Sequence, residues 1–169
     1  MKTLFHYSVD LCLLRLGPQD APASWPLLRK ALLGNILIGL LLIPDAHIVP
    51  FSALLESATD ALLMLGMLYL GLRLVQLEAR FAQSSIALML SNALLGLIIL
   101  PLVSVHQGTL EDIAQLASLM FLVVVGWGFL VFGHILRHTF NLNMPLAFLL
   151  AFAYTLFSWL VLGTLFPRG

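Results

Sequence analysis

The sequence predicts an all-α, polytopic membrane protein with five transmembrane helices, preceded by an amphipathic helix at the membrane interface. Three observations carry this. Hydrophobic residues make up 61% and charged residues 9% of the 169-residue chain, and the mean hydropathy is +1.04. A soluble domain is about half apolar and about a quarter charged. Apolar stretches near the ~20 residues a helix needs to cross a bilayer recur five times. Finally, seven of the eight Lys and Arg residues fall on one side of that alternation.

The elements follow in order. Residues 1–16 have an apolar look but are too short to cross, and His6, Asp10 and Arg15 interrupt any signal-peptide core. Thr3, His6 and Asp10 share one side of a helical wheel, with Leu4, Phe5, Val9, Leu11, Cys12 and Leu16 over the remainder. This is the pattern of a helix lying on the cytoplasmic surface, or of one packed against the bundle from below. Residues 17–26, rich in Pro and Gly, are a linker. Helix 1 is expected at 27–43, with Ser24 placed to cap it, Trp25 at the interface and Pro26 in the first turn. The others are expected at 53–74, 83–104, 114–136 and 145–166, inside the span 27–166. Pro101 should kink or end the third. Residues 167–169 form an external C-terminus. The single cysteine, Cys12, excludes an intramolecular disulfide.

Orientation follows from charge. With the N-terminus inside, the inner side holds Lys2, Arg15, Arg29, Lys30, Arg73, Arg80 and Arg137, and the outer side only Arg168. Acids run the other way: Asp10, Asp20 and Glu78 inside, and Asp45, Glu56, Asp60, Glu111 and Asp112 outside or near the outer interface. This is the positive-inside pattern of a bacterial inner-membrane protein with a cytoplasmic N-terminus. Arg29, Lys30, Arg73, Arg80 and Arg137 are expected to face anionic lipid headgroups. The net charge is zero, so nothing points to nucleic acid.

Few residues carry candidate chemistry. Glu56 and Asp60, four apart, share a face in the outer half of helix 2. Acids within a membrane are costly and are functional candidates by default. The alternative is that both face headgroup water. Asn35 and Asn92 fall near mid-membrane and, with Asp60, could line a hydrophilic path. Otherwise they bond between packed helices, as do Gly39, Ser84, Ser85, Ser91 and Gly96. Gly126 and Gly133 suit close helix contact, and Ala147, Ala151, Tyr154 and Ser158 form a packing stripe. His134 and His138 have the spacing of a helical metal site but lack a third ligand. Phosphate loops, HExxH, CxxC and GxSxG are all absent from the sequence. No catalytic residue, metal or cofactor is expected.

The fourth span ends Gly133-His-Ile-Leu-Arg-His-Thr-Phe140, ahead of a fifth led by Met144-Pro-Leu-Ala147. With five spans, a short lead-in and small loops, this resembles bacterial members of the Yip1 family. The DLYGP signature of the eukaryotic members is missing, so no functional residue carries over. The resemblance implies a helical bundle working in membrane organisation or assembly without catalysis. The expected function is thus a non-catalytic scaffold or accessory subunit, with a protein partner or a second copy of itself. The alternative is a small proton-coupled or solute carrier using Glu56 and Asp60. Reporter fusions test the topology. Those after Arg80 and Arg137 should be cytoplasmic and those after His47, Gly108 and Gly169 external; a cytoplasmic C-terminus would exclude five spans.

Overall fold

In the computed structural model, residues 4–42, 50–106 and 111–167 are described. They form six α-helices and two short 3-10 turns, with no strand among them. The helices are α1 (Leu4–Cys12), α2 (Trp25–Leu41), α3 (Pro50–Leu74), α4 (Phe81–His106), α5 (Glu111–Phe140) and α6 (Met144–Leu165). Lys2, Asp45, His47, Gly108 and Arg168, together with the expected helix end at residue 43, lie outside the described residues.

Among the described residues four helices are long and apolar enough to cross a membrane: α3, α4, α5 and α6, over Phe51–Leu74, Glu78–Val103, Ala114–Phe140 and Met144–Leu165. The chain is therefore an all-helical, polytopic membrane protein. Of the five expected spans four meet this measure, and α2 does not. α2 has 17 residues. At 1.5 Å per residue that is about 25 Å, short of the ~30 Å apolar core of a bilayer. Its second turn also carries Arg29 and Lys30, both exposed.

α4 organises the bundle. Residues Ser84, Ser85, Ile86, Ala87, Leu88 and Met89 are all buried. Six consecutive residues exceed one full turn, so this stretch has no outward face. α2 and α5 flank α4, α3 touches it, and α6 closes the ring between α3 and α5. α4 runs through Pro101 to His106, so the proline does not end it. The helix there simply lacks the N–H that would have bonded the carbonyl of Leu97.

The remaining side of α4 is covered by α1, which packs against α4 and α5. Tyr7, Ser8, Leu11 and Cys12 are buried, while Leu4, Phe5 and His6 are exposed. The N-terminal helix is thus built into the bundle rather than resting on its surface. Two α5 side chains hold it: the Trp127 indole donates to the Cys12 carbonyl at 2.8 Å, and His134 Nε2 lies 3.1 Å from the Leu16 carbonyl. Trp127 stands about 20 Å above the C-terminal end of α5, so α1 ends deep between the helices. The chain then descends to a turn in which Gly17 N–H donates to the Asp20 carboxylate at 2.8 Å. From there it reaches Gln83, whose side chain donates to the Ala21 carbonyl.

Three helices end in the same way. α1, α3 and α5 each place a non-glycine residue in the left-handed region: Leu14 (φ 60°), Gln76 (φ 57°) and Asn141 (φ 56°). The next residue's N–H bonds back to Asp10, Leu72 and Arg137 respectively. This is a Schellman closure without its usual glycine. At the start of α6 the Asn143 side chain accepts from Leu146 N–H at 3.0 Å, a direct N-cap.

Cys12 reports on this arrangement. Burial pushes its thiol up, so little of it is in the reactive thiolate form at pH 8. Maleimide labelling in intact membranes should be slow. Leu11→Ala removes a fully buried side chain, should cost about 2–5 kcal/mol locally, and should make labelling fast. Fast labelling of the unaltered chain would show that α1 is not packed in the bundle.

Candidate functional site

Five helices meet around a cavity of about 370 Å³. α2 contributes Asn35, α3 Ser57 and Asp60, α4 Asn92, and α6 Tyr154 and Thr155; Val124, Gly128 and Phe129 of α5 close the side. The polar residues share one depth. Asn35, Asn92 and Tyr154 lie about 15–17 Å from the starts of α2, α4 and α6, and Asp60 about 15 Å from the start of α3. That is half the thickness of an apolar core. Asn35, Asp60 and Asn92 are therefore brought together, along the hydrophilic path open to them from the sequence.

Close approach of α2 makes this possible. A Cβ on Gly39 would collide with the Ser57 side chain, and one on Gly96 would meet Ile38 at 2.5 Å. Glycine at both places lets α2 sit against α3 and α4. Ser57 Oγ donates to the Ile36 carbonyl at 2.9 Å, fixing α2 to α3. Gly133 similarly admits the Phe148 ring, whereas Gly126 faces open space and makes no close contact.

Asp60 is half-buried, and Ser158 Oγ donates to its Oδ1 at 2.8 Å. This hydrogen bond joins α3 to α6. The second oxygen keeps acceptor capacity. Asn92 Nδ2 donates to the Met64 sulfur at 3.6 Å, leaving its carbonyl oxygen for the cavity. The Tyr154 hydroxyl is buried without a hydrogen bond. Ser158 is near it, but the pair falls short of bonding geometry, and Ser158 gives its own proton to Asp60.

Glu56 does not join this group. It is half-buried and lines a separate groove with Trp159, Gly163 and Phe166 of α6. The two acids of α3 thus face different spaces.

The basic residues divide. Arg29, Lys30, Arg73 and Arg137 are exposed, and Arg137 also donates weakly to the Met144 sulfur at 3.9 Å. Arg80 turns inward. Its guanidinium donates to the carbonyls of His138 and Thr139 at 3.2 and 3.0 Å and to Asn141 Oδ1 at 3.0 Å. It satisfies the carbonyls at the end of α5, where a cation is favoured by the helix dipole. Thr139 Oγ1 donates to Ser84 Oγ at 3.0 Å beside it. His134 and His138 are in ring contact at 4.5 Å.

Sequence reasoning missed Tyr154 and Ser158 as site residues. Their stripe on α6 was visible, but the same stripe serves packing, since Ala147, Ala151 and Ser158 are all buried. Only the position of α3 across from it turns Ser158 into a partner of Asp60. Compared with known proteins, the chain matches no family model, no curated protein and no solved structure.

Proposed function

We propose that this protein is a small membrane carrier in which Asp60, at mid-membrane, takes up and releases a proton as a polar solute or cation enters the cavity. The single observation that carries the reading is that Asp60 lines one open cleft between the helices together with Asn35 and Asn92. Substrate sites of carriers lie at the midplane between helices, and an acid held there is expensive unless it works. Asp60 is the exchanging group, Ser158 its positioning partner, and the two asparagines supply amide donors and acceptors.

The proposal includes α2 as the fifth crossing, since its Asn35 stands level with Asn92 and α2 lines the cavity up to Leu42. The seven-to-one distribution of basic residues then puts the N-terminus in the cytoplasm of a bacterial inner membrane and the C-terminus outside. A place among Yip1-like proteins would go with the second reading, a scaffold, and assigns no residue role. The scaffold reading is second, favoured by the small buried face of α6, Ala147 and Ala151.

The test uses the full chain in liposomes with an internal pH dye and an imposed potential. The unaltered protein should pass protons above the protein-free rate. Asp60→Asn should return the flux to that rate, while keeping an acceptor for Ser158 and changing stability by no more than about 1 kcal/mol. Glu56→Gln should leave the flux intact. Flux equal to that of empty vesicles, with folded protein present, would favour the scaffold.

A further inference from the structure

A second cavity adjoins the polar one. It is a groove of about 580 Å³ between α3, α5 and α6. Leu68, Gly71 and Val75 form one wall, and Leu136, Phe140 and Leu150 the other. From Val75 to Met64 along α3 the groove is about 16 Å long, the depth of one leaflet's share of a ~30 Å apolar core. Its inner end is formed by Phe132 and Tyr154, and both residues also line the polar cavity. Their rings meet edge to face, 5.4 Å between centroids. The partnerless Tyr154 hydroxyl therefore sits at the junction of the apolar and polar spaces. Met64 stands at the same boundary, lining the groove and accepting from Asn92 of the cavity.

We propose that groove and cavity form one elongated site for an amphipathic amine, with its alkyl chain in the groove and its ammonium head beside Asp60. This rests on the carrier reading and names the substrate class for it. The head chemistry follows from the lining. Among the described residues the cavity holds one carboxylate, two amides and hydroxyls, and no Lys or Arg. An anionic head would meet Asp60 with no compensating cation. A primary ammonium has three N–H donors, one for Asp60 and two for oxygens among those of Asn35, Asn92 and Tyr154. A charge drawn out of water needs a paired, hydrogen-bonded site, and Asp60 supplies it. The chain gains little by leaving lipid, which is as apolar as the groove. The groove therefore selects length and shape, and the preference for an amine comes from Asp60. Entry of the head requires the Phe132 and Tyr154 rings to swing apart.

The experiment uses the full chain in phosphatidylcholine vesicles and two photoreactive probes. These are a diazirine-bearing hexadecylamine and the corresponding hexadecanoic acid, with labelled residues found by mass spectrometry. The amine should label α3 and α6 along the groove saturably and be displaced by unlabelled hexadecylamine; the acid should label weakly and without saturation. Asp60→Asn should erase the amine's advantage and Asp60→Glu should keep it. Leu150→Trp, which fills the groove, should lower labelling by both probes. Each variant is checked for an unchanged thermal unfolding midpoint, and Asp60→Glu keeps the test valid if the asparagine variant fails to fold. Equal labelling by amine and acid, labelling without saturation as for ordinary surrounding lipid, or an advantage that survives Asp60→Asn would overturn the proposal. Asp60-dependent proton flux with equal labelling would overturn the amphiphile alone and leave the carrier standing. Selective amine labelling without flux would retain the site and overturn the carrier.

Discussion

The bundle depends on the burial of one turn and a half of α4. Because Ser84 to Met89 are covered on every side, something must occupy each face of that helix, and its neighbours α2, α3 and α5 leave one face to be filled. The N-terminal segment fills the gap. Its entry brings backbone carbonyls into an apolar interior where water is scarce, and an unsatisfied carbonyl there is costly. Trp127, His134, Gln83 and the Tyr7 hydroxyl, which donates to the Gly17 carbonyl at 3.2 Å, answer that need. Residues that look like scattered interfacial polar groups are thus the fastenings of a segment tens of positions away.

The same constraint acts at mid-depth with a different outcome. Asp60 has a partner in Ser158, and Asn92 has one in Met64, but each keeps acceptor capacity turned to a cavity. Tyr154 has none. Interiors are normally close-packed and polar-satisfied. Spare acceptor capacity and the unbonded Tyr154 hydroxyl meet at one level, where five helices converge, although the Ser85 hydroxyl near the start of α4 is also buried without a partner. Gly39 and Gly96 keep it narrow by drawing α2 inward, so the polar layer and the tight packing around it have a common origin.

Much of this was legible in the sequence. The four long helices begin and end within a few residues of their expected limits, because their apolar runs are long and bounded by Pro, Asn or charge. For Asn35, Asp60 and Asn92 the sequence left a shared hydrophilic path open as an alternative to packing, because depth along a helix does not say which faces converge. The docking of α1 was not decided, because an amphipathic pattern is identical whether its apolar face meets lipid or another helix. Arg80 reads as one more interfacial cation until the end of α5 is seen beside it. The turns at Leu14, Gln76 and Asn141 carry no glycine to announce them. α2 was expected to have 17 residues and has 17, at the lower end of what can cross a bilayer.

The fastening of α1 also orders the birth of the protein. Cys12 and Leu16 are bonded by side chains 115 and 118 positions later in the chain. At about 5–20 residues per second of synthesis, Trp127 follows Cys12 by roughly 5–25 s. During that interval α1 can meet α4 but lacks the two α5 side chains that bond the carbonyls of Cys12 and Leu16. The fastening of α1 is thus complete only once α5 is present, and α6 closes the ring between α3 and α5 after that.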